Sequence, residues 1–377
     1  MSTETPRPQG NPFKHIMDSK VGTVTTINGK DYLYFAGTGY FQLQSHPAMI
    51  QAAVDATTKF GIGCATSRTI TGTTQLLLKL EKRIADFFGT EDAAYLPSGY
   101  LSNMAGFQAL ERLGVYDVIF IDESSHYSNM GGALVSGKKV VKFKHLDVEN
   151  LRKKIKKRLK KGEKPLVASD GLFAIWAEPA PADEYLKIAE EFNGAVWIDD
   201  AHGVGILGEN GRGIYEFFHL KSERLFMGAT LSKAFGAYGG FITGNTLFIN
   251  ILKSGNVMTG TSSPPHAMVS AALKGLELVN NNPELRRRLW DNAIYLKGKV
   301  KELGIAVDDN VLPIVTFSLK SSERMMNIQH LLMNKGIYIQ FVKYIGSGVD
   351  GVLRIVITSE HTKEEIDFLV SALSRLL

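Results

Sequence analysis

The most restrictive feature of this sequence is a pair of short apolar runs, each followed by an aspartate, with a helical pattern between them. Residues 165–169 predict a strand ending at Asp170, and residues 195–198 predict a strand ending at Asp199. Residues 183–192 have the spacing of an amphipathic helix. This order favours parallel strands, so both aspartates should lie at the carboxyl edge of one sheet, where open α/β folds bind ligands.

A lysine follows a third predicted strand, over residues 225–228. That strand leads directly into Thr230 and then to Lys233, which precedes a segment of small residues over 234–240. Glycine and alanine in such a segment let the backbone approach a ligand closely. Burial beside a cationic ring would lower the pKa of Lys233, and only the unprotonated amine can act as a nucleophile or base.

Asp199 and Lys233 together indicate a pyridoxal phosphate site. A carboxylate at the mouth of a buried strand can hold a pyridine nitrogen protonated, and a lysine can form an aldimine with an aldehyde. His202, three residues after Asp199, can turn back toward the same ring. The alternatives are a helix N-cap for Asp199 and an ordinary surface position for Lys233, but the order and setting of the pair favour the cofactor.

Two further segments supply groups that this cofactor needs. Ser98, Gly99 and Tyr100 precede a helical pattern, so their amides can lie at a helix N-terminus and bind the phosphate, and Thr230 can add a hydroxyl. His126 follows another predicted strand and can stack on the ring. Taken singly, a serine at this position is usually a plain N-cap and a histidine is usually structural.

The positive charge is concentrated in one segment. The chain has a formal net charge of +5, whereas residues 152–164 hold nine Lys or Arg and one Glu, so the remainder is slightly acidic. Apolar residues at helical spacing predict a helix over 147–161, with Asp147 as N-cap and Gly162 at the end. We interpret it as a surface helix with a solvated basic face. The alternative is a site for an anionic partner such as acyl-carrier protein, a membrane surface or RNA. We expect no nucleic-acid partner for the chain.

Composition argues against several classes of protein. The sequence lacks an apolar run of about 18 residues, so we expect no transmembrane segment. The polar, proline-containing start does not resemble a secretory signal, and a cytoplasmic location is therefore expected. Cys64 is the only cysteine, which agrees with a reducing compartment and disfavours a thiolate metal site, so no metal is expected.

The alternation of strands and helices predicts an α/β protein with more than one domain. We expect an N-terminal arm over residues 1–45, a large α/β domain over 46–275 and a smaller α+β domain over 276–377. Asn28 and Gly29 predict a hairpin within the arm. Arms of this kind usually reach a neighbouring subunit.

Beyond these features, the sequence resembles the α-oxoamine synthases along nearly its whole length. This family of fold-type I pyridoxal phosphate acyltransferases includes 8-amino-7-oxononanoate synthase, glycine C-acetyltransferase, serine palmitoyltransferase and 5-aminolevulinate synthase. The resemblance rests on Tyr40, Ser45-His46-Pro47, Gly61-Ile62-Gly63, Ser67-Arg68, Gly72, Ser98-Gly99-Tyr100 with Asn103, His126-Tyr127-Ser128, the run from Asp199 to Gly205, Gly211-Arg212-Gly213, Thr230 to Lys233, Arg354 and His361-Thr362. It implies a large domain with a mainly parallel seven-stranded sheet and a smaller C-terminal domain.

The resemblance also implies roles for individual residues. By this comparison Lys233 would carry the cofactor as an aldimine, His126 would stack on its ring, Asp199 would pair with the pyridine nitrogen and His202 would contact the ring oxygen. The phosphate would be held by Gly99, Tyr100 and Thr230, together with Thr261 and Ser262 of the partner subunit. Arg354 would bind the substrate carboxylate. A guanidinium suits that last task because it can bind a carboxylate through two hydrogen bonds. A homodimer with shared active sites is therefore expected.

The reaction implied by the family is a decarboxylative condensation. A small amino acid (glycine, alanine or serine) would lose a proton at Cα and attack an acyl thioester, carried by coenzyme A or by acyl-carrier protein. Carbon dioxide would leave to yield an α-amino ketone. Lys233 would serve as the base and acid.

At the substrate end the chain departs from the family pattern. Thr38 stands where the family usually has asparagine, Ala174 replaces a serine, and Trp176 replaces an acidic residue in the segment that begins at Asp170. Leu77 stands where histidine is common. We expect Thr38, Asp170, Ala174, Trp176 and Arg354 to form the substrate site, with a less polar wall that favours an apolar or unusual acyl donor.

These departures leave other functions open. The same scaffold supports an aminotransferase or a retro-aldol lyase. A third possibility is a catalytically inactive partner subunit, or a protein that acts through its basic helix. The presence of Lys233 argues against an inactive protein.

Overall fold

The computed structural model describes residues 15–377. The predicted arm therefore lies partly outside the described residues. In chain order the strands and helices are β1 (Val24–Ile27), β2 (Lys30–Tyr34), α1 (Pro47–Phe60), α2 (Gln75–Phe88), β3 (Asp92–Leu96), α3 (Gly99–Leu113), β4 (Val118–Asp122), α4 (Tyr127–Val135), β5 (Lys139–Phe143), α5 (Val148–Arg158), β6 (Pro165–Asp170), β7 (Leu172–Phe173), β8 (Glu178–Pro179), α6 (Ala182–Glu191), β9 (Ala195–Asp199), α7 (Ile214–Phe217), β10 (Leu225–Thr230), β11 (Gly240–Gly244), α8 (Thr246–Lys253), α9 (Asn256–Thr259), α10 (His266–Asn281), α11 (Pro283–Glu302), β12 (Ile314–Phe317), α12 (Ser322–Asn334), β13 (Ile337–Tyr338), β14 (Gln340–Val342), β15 (Val352–Val356) and α13 (Lys363–Ser374).

A seven-stranded sheet forms the centre of the fold, in the order β3-β11-β10-β9-β6-β4-β5. β11 runs antiparallel to both of its neighbours, whereas β10, β9, β6, β4 and β5 pair in parallel. Asp170 is the register partner of Asp199. The α/β class, the mainly parallel seven-stranded sheet and the convergence of these strand ends are thus confirmed.

Both faces of this sheet are buried, as expected for parallel strands covered by helices. Along β9 the side chains alternate between the two faces, since Val196 and Ile198 belong to one apolar cluster and Ala195 and Trp197 to the other. Trp197 is fully buried against α3. The polar side chains of β6 and β9 therefore lie at or next to the carboxyl ends of these strands, at Ser169, Asp170 and Asp199.

Three smaller sheets complete the fold, one of them the antiparallel pair β7–β8. β12, β15 and β14 form an antiparallel sheet in the C-terminal segment, and the β1–β2 hairpin pairs in parallel with β13. Its turn has φ values of 51° at Asn28 and 72° at Gly29, as the sequence predicts for a two-residue hairpin loop. This part of the arm packs within its own chain. The domain boundaries stay a prediction.

Two elements differ from expectation. The basic helix ends at Arg158 and not at residue 161, because Leu159 takes an extended conformation in which its side chain packs against the core. In the C-terminal segment the sequence predicts short strands near residues 312–319, 337–342 and 352–357, and the second of these divides into β13 and β14, which pair with different sheets. No helix of the described chain is long and apolar enough to cross a membrane.

Replacement of Gly106 by alanine should destabilise the protein. A Cβ at this position would lie 2.0 Å from Cη2 of Trp197, within the packing between α3 and β9. We expect a loss of about 1–3 kcal/mol in the free energy of unfolding, typical of an overpacked core. Chemical denaturation followed by circular dichroism measures this change.

Gly298→Ala is the matched control for this substitution. Gly298 lies in α11, and a Cβ added there would have no heavy atom within 4 Å. Alanine at this position should stabilise the helix by about 0.5–1 kcal/mol. Equal effects of the two substitutions would contradict the packing assigned to Gly106.

Candidate active site

The carboxyl ends of β4, β6, β9 and β10 open into one crevice, to which the start of α3 also contributes. The side chains and backbone that line it belong to Ser98, Gly99, Tyr100, His126, Ser128, Asp170, Leu172, Asp199, Ala201, His202, Thr230, Ser232 and Lys233. The structure therefore brings together nine residues that the sequence places at the cofactor or substrate site.

Asp199 is held in the crevice by hydrogen-bond donors. Its Oδ2 accepts from Nδ2 of Asn103 at 2.5 Å, and its Oδ1 accepts from the amide of Ala201 at 3.1 Å. The Asn103 amide has a defined orientation because its oxygen accepts from the Trp197 indole at 3.0 Å, and an indole can only donate. These donors fix the orientation of the Asp199 side chain, whose carboxylate can pair with a cationic ring nitrogen.

His126 has a defined tautomer. Its Nδ1 accepts from the backbone amide of Ser128 at 3.1 Å and lies 2.6 Å from the Ser128 hydroxyl. Nδ1 is thus the acceptor, which leaves the ring proton on Nε2. Burial lowers the pKa of His126, and the charge of Lys233 lowers it further, although Asp199 opposes them. The result is a neutral, flat ring suited to stacking.

His202 is also held neutral. Burial lowers its pKa well below the ordinary value, and the charges of Lys233 and Arg354 act in the same direction. Its Nδ1 lies 2.9 Å from the hydroxyl of Tyr40. Burial raises the pKa of Tyr40 to about 12, so this hydroxyl keeps its proton and donates to Nδ1. The Nε2 of His202 then carries hydrogen and can donate to an oxygen anion.

Lys233 lies half-buried between two carboxyl groups. Desolvation lowers its pKa, while Asp199 and Asp170 partly restore it and Arg354 lowers it further. Burial raises the pKa of Asp170 well above its usual range, and the neighbouring Asp199 adds to the effect. The amide of His126 donates to both oxygens of Asp170 at 3.1 Å. Lys233 is therefore shifted toward the free amine, the form that can act as nucleophile or base.

Arg354 lies behind the crevice with 5% of its surface exposed. Its Nε donates to the carbonyl of Ala174 at 2.9 Å, and its Nη1 donates to Oε1 of Gln340 at 3.1 Å. A guanidinium has five N–H donors, so others remain for a substrate carboxylate.

Like Arg354, four further residues singled out in the sequence do not line this crevice. The carbonyl of Thr38 accepts from the amide of Tyr40, and Leu77 belongs to the apolar core. Ser262 forms a β-bridge with Ser67, and the Thr261 hydroxyl donates to the carbonyl of Val257. Any contact of Thr261 and Ser262 with a phosphate is thus not made within their own crevice.

An apolar slot continues from the crevice toward the C-terminal segment. It is lined by Ser124, His126, His145, Asp170, Phe173, Ala174, Ile175, Trp176, His202, Tyr344, Ile345 and Gly346. Ala174 and Trp176, two of the positions at which the sequence departs from the family pattern, form part of its wall.

The crevice residues fit pyridoxal phosphate. Ser98 is the N-cap of α3, accepting from the amide of Leu101 at 3.3 Å, and the backbone of Gly99 packs so closely on Thr230 that a Cβ would lie 2.9 Å from it. The helix N-terminus beside Thr230 is thus a place suited to an anion, while the Thr230 hydroxyl itself donates to the carbonyl of Gly239 at 2.9 Å. The carboxylate of Asp199, the His126 ring and the Lys233 amine surround the space beyond it.

Comparison with known proteins agrees with this geometry. Residues 35–373 match the family described as aminotransferase class I and II. The chain is 35% identical over 361 residues to the putative 8-amino-7-oxononanoate synthase of Acetivibrio thermocellus, covering 94% of this chain and 91% of that protein. It is 32% identical over 363 residues to the serine palmitoyltransferase of Sphingobacterium spiritivorum, covering 96% and 90% respectively. The chain belongs to the α-oxoamine synthases, within the class I and II aminotransferase family.

Solved structures of members of this family are similar to the chain in fold. A serine palmitoyltransferase with the pyridoxal phosphate internal aldimine superimposes with a TM-score of 0.90 at 28% identity, covering 97% of this chain and 93% of that one. An 8-amino-7-oxononanoate synthase from Francisella tularensis, at 23% identity, has a TM-score of 0.77 and supports the fold.

Several residues that shape the site received no role from the sequence. Tyr40, Asn103 and Ser128 lie within the sequence motifs shared with the family, and this was the only indication in the sequence that they belong to the site. His145 and Tyr344 line the slot without any such signal. Their contacts join segments that are distant in the chain, so only the tertiary structure reveals them.

Asn103→Leu should weaken retention of pyridoxal phosphate. The substitution keeps the approximate volume but removes a donor from Asp199 and an acceptor from Trp197. Loss of a hydrogen bond to a charged group predicts a dissociation constant about 10–100-fold higher. Equilibrium dialysis of the cofactor measures it.

Gln108→Leu, on the same helix but away from Asp199, is the control and should leave the dissociation constant unchanged. An Asn103→Leu protein that binds the cofactor as tightly as this control would exclude the role assigned to Asn103.

His145 should make stability dependent on pH. Its Nδ1 lies 3.0 Å from Asp122 and its Nε2 lies 3.2 Å from Glu178. Burial alone would lower the pKa of His145, but the hydrogen bonds to these carboxylates outweigh it and raise the pKa to about 9. Because the folded pKa is raised, the stabilisation is complete below about pH 6.5 and is lost as the pH rises through 9.

The expected loss is at most about 3 kcal/mol. It is measured as the difference in unfolding free energy between the wild type and His145→Gln at pH 6.5 and pH 9.5. A difference that is constant over this range would show that His145 is not charged in the folded protein.

Proposed function

We propose that this protein binds pyridoxal phosphate in the crevice and condenses a small amino acid with an acyl thioester, with loss of carbon dioxide, to form an α-amino ketone. The observation that carries the proposal is Lys233, whose pKa is lowered in a crevice that also holds the Asp199 carboxylate. The relatives support the reaction class, since 8-amino-7-oxononanoate is itself an α-amino ketone and a serine palmitoyltransferase transfers an acyl group to an amino acid.

The polar groups of the crevice have separate tasks in this proposal. When bound, pyridoxal phosphate supplies an electron sink for the bond that breaks at Cα of the amino acid. Asp199 would stabilise positive charge at the ring nitrogen, and His202 would donate from Nε2 to the ring oxygen. The N-terminus of α3, beside Thr230, would hold the phosphate. Each interaction favours the charge distribution that accepts electrons from Cα.

Lys233 and Arg354 act on the amino acid. The free amine of Lys233 removes the proton from Cα and returns a proton after carbon dioxide has left. The donors of Arg354 that remain free bind the substrate carboxylate, and its bond to Ala174 fixes the orientation of the guanidinium. His126 keeps the reacting atoms shielded from water on one side.

The slot encloses only about 30 Å³, and its apolar lining favours low polarity in the part of the acyl donor that lies next to it. Phe173, Ala174, Ile175 and Trp176 supply apolar surface next to the crevice. Burial of hydrocarbon there is favourable at roughly 25 cal/mol per Å². Glycine, alanine and serine are all amino-acid candidates.

We also propose a homodimer in which Thr261 and Ser262 of the partner subunit complete the phosphate site. Support comes from the exposed apolar side chains near the loop that pairs with this segment, including Ile62 at 78% and Ile70 at 75% exposure. Exposed apolar residues of this size commonly mark an interface. The cytoplasmic location expected from the sequence stays a prediction.

The proposal is tested by incubating the cofactor-loaded protein with glycine, alanine or serine and a series of acyl-coenzyme A thioesters. We expect release of coenzyme A thiol together with an amino ketone detected by mass spectrometry. Lys233→Ala should lower the rate by about 10³-fold or more, because the base is removed. Lys335→Ala, at an exposed position, should retain the wild-type rate.

Two outcomes would contradict the proposal. Formation of a keto acid or an aldehyde without thiol release would indicate an aminotransferase or a lyase. Full activity of Lys233→Ala would exclude this lysine as the base.

A further inference from the structure

The segment that connects β7 to β8 is tied to the C-terminal part of the chain by four hydrogen bonds. Three backbone carbonyls accept from side chains of that part, and one side chain donates in the opposite direction. The bonds are Arg354 Nε to Ala174 O at 2.9 Å, Thr316 Oγ1 to Ile175 O at 2.5 Å, Asn310 Nδ2 to Ala177 O at 3.4 Å and Trp176 Nε1 to Gly346 O at 2.8 Å.

The Trp176 bond differs from the other three because its acceptor lies in a glycine-rich loop, residues 343–351, which we call the slot loop. Gly346, Gly348 and Gly351 have φ values of 81°, 74° and 75°, and Val349 is 86% exposed. The loop has its own turn, in which the amide of Ser347 donates to the carbonyl of Tyr344 at 2.9 Å. Glycine and solvent exposure allow such a loop many conformations.

The slot loop lies against both the slot and the ring expected to stack on the cofactor. Tyr344, Ile345 and Gly346 line the slot opposite the segment that carries Trp176. The Tyr344 ring lies 6.1 Å from the His126 ring and 5.2 Å, edge to face, from Tyr127. The position of the loop therefore determines both how open the slot is and what contacts His126.

We propose that Trp176 is a positioning residue for substrate binding: its indole N–H holds the slot loop across the slot and Tyr344 against His126. The proposal rests on the proposed function, because it assigns the slot to the substrates of that reaction. Trp176 touches the loop and not the reacting atoms, so it acts through Gly346 and Tyr344.

The type of side chain at this position matters. An indole N–H is a donor with no acceptor capacity and suits a backbone carbonyl, whereas the acidic residue usual in the family is an acceptor when ionised. A carboxylate at residue 176 would repel the carbonyl of Gly346. The contact thus depends on the residue by which this chain departs from the family pattern.

Loss of the bond should affect binding more than chemistry. Without the hydrogen bond from Trp176 to Gly346, the slot loop occupies open conformations for part of the time. The apparent affinity for the substrate then falls in proportion to the closed fraction. Once the substrate is bound, Lys233, Asp199 and Arg354 keep their own contacts. We therefore expect a higher KM at an unchanged kcat.

The test uses Trp176→Phe, which keeps an aromatic ring and removes the donor. Hydrogen exchange measured by mass spectrometry on the cofactor-loaded protein should show faster exchange of the amides over residues 343–351. In steady-state assays the KM for the acyl thioester or the amino acid should rise about threefold to tenfold, as expected for one hydrogen bond, with kcat within twofold of wild type.

Trp290→Phe is the matched control. Its indole N–H also donates to a backbone carbonyl, that of Ile206 at 3.1 Å, but it does not line the slot. This variant should leave both the exchange of residues 343–351 and the KM values unchanged. If Trp176→Phe behaves as Trp290→Phe does in both measurements, the proposal is wrong.

The exchange measurement separates this inference from the proposed function. Faster exchange in Trp176→Phe, in a protein that condenses no acyl thioester, would overturn the proposed function while the contact between Trp176 and the loop stands. Condensation at wild-type KM with unchanged exchange would overturn the role of Trp176 alone.

Discussion

The parallel register of β6 and β9 is the constraint on which the site depends, because it places Asp170 directly beside Asp199. Two carboxyl groups at one buried edge repel each other unless one is protonated or donors and cations surround them. The surrounding groups meet this requirement: Asn103 and the amide of Ala201 donate to Asp199, the amide of His126 donates to Asp170, and Lys233 lies in the same crevice.

A consequence of this arrangement is that the two histidines of the crevice are neutral and have different partners. His126 accepts through Nδ1 from Ser128, while His202 accepts through Nδ1 from Tyr40. In both rings the remaining proton is on Nε2. His145, outside the crevice but within the slot, is instead charged, because both of its nitrogens face carboxylates. Burial with neutral partners and burial with anionic partners thus give opposite protonation states.

The substrate end of the site is built between segments that are far apart in the sequence. Arg354 fixes the backbone at Ala174 while keeping donors for a carboxylate, and Trp176 reaches the carbonyl of Gly346. The walls of the slot therefore belong to the ends of the large sheet and the β7–β8 segment on one side and to the C-terminal segment on the other. The proposed substrate site and the packing of the two parts of the chain thus share the same hydrogen bonds.

The sequence by itself determined the fold class and the meeting of the predicted cofactor residues at one sheet edge. Asp170, Asp199 and Lys233 each follow a short apolar run, and this local pattern is enough to bring them to one sheet edge. His126 and the start of α3 follow from the same pattern. The roles of Asn103, Tyr40, His145 and Tyr344, the length of α5 and the division of β13 from β14 were decided only by the tertiary structure. The physical reason is that strand ends are set by local periodicity, whereas hydrogen-bond partners and loop positions depend on contacts between distant segments, which no local pattern records.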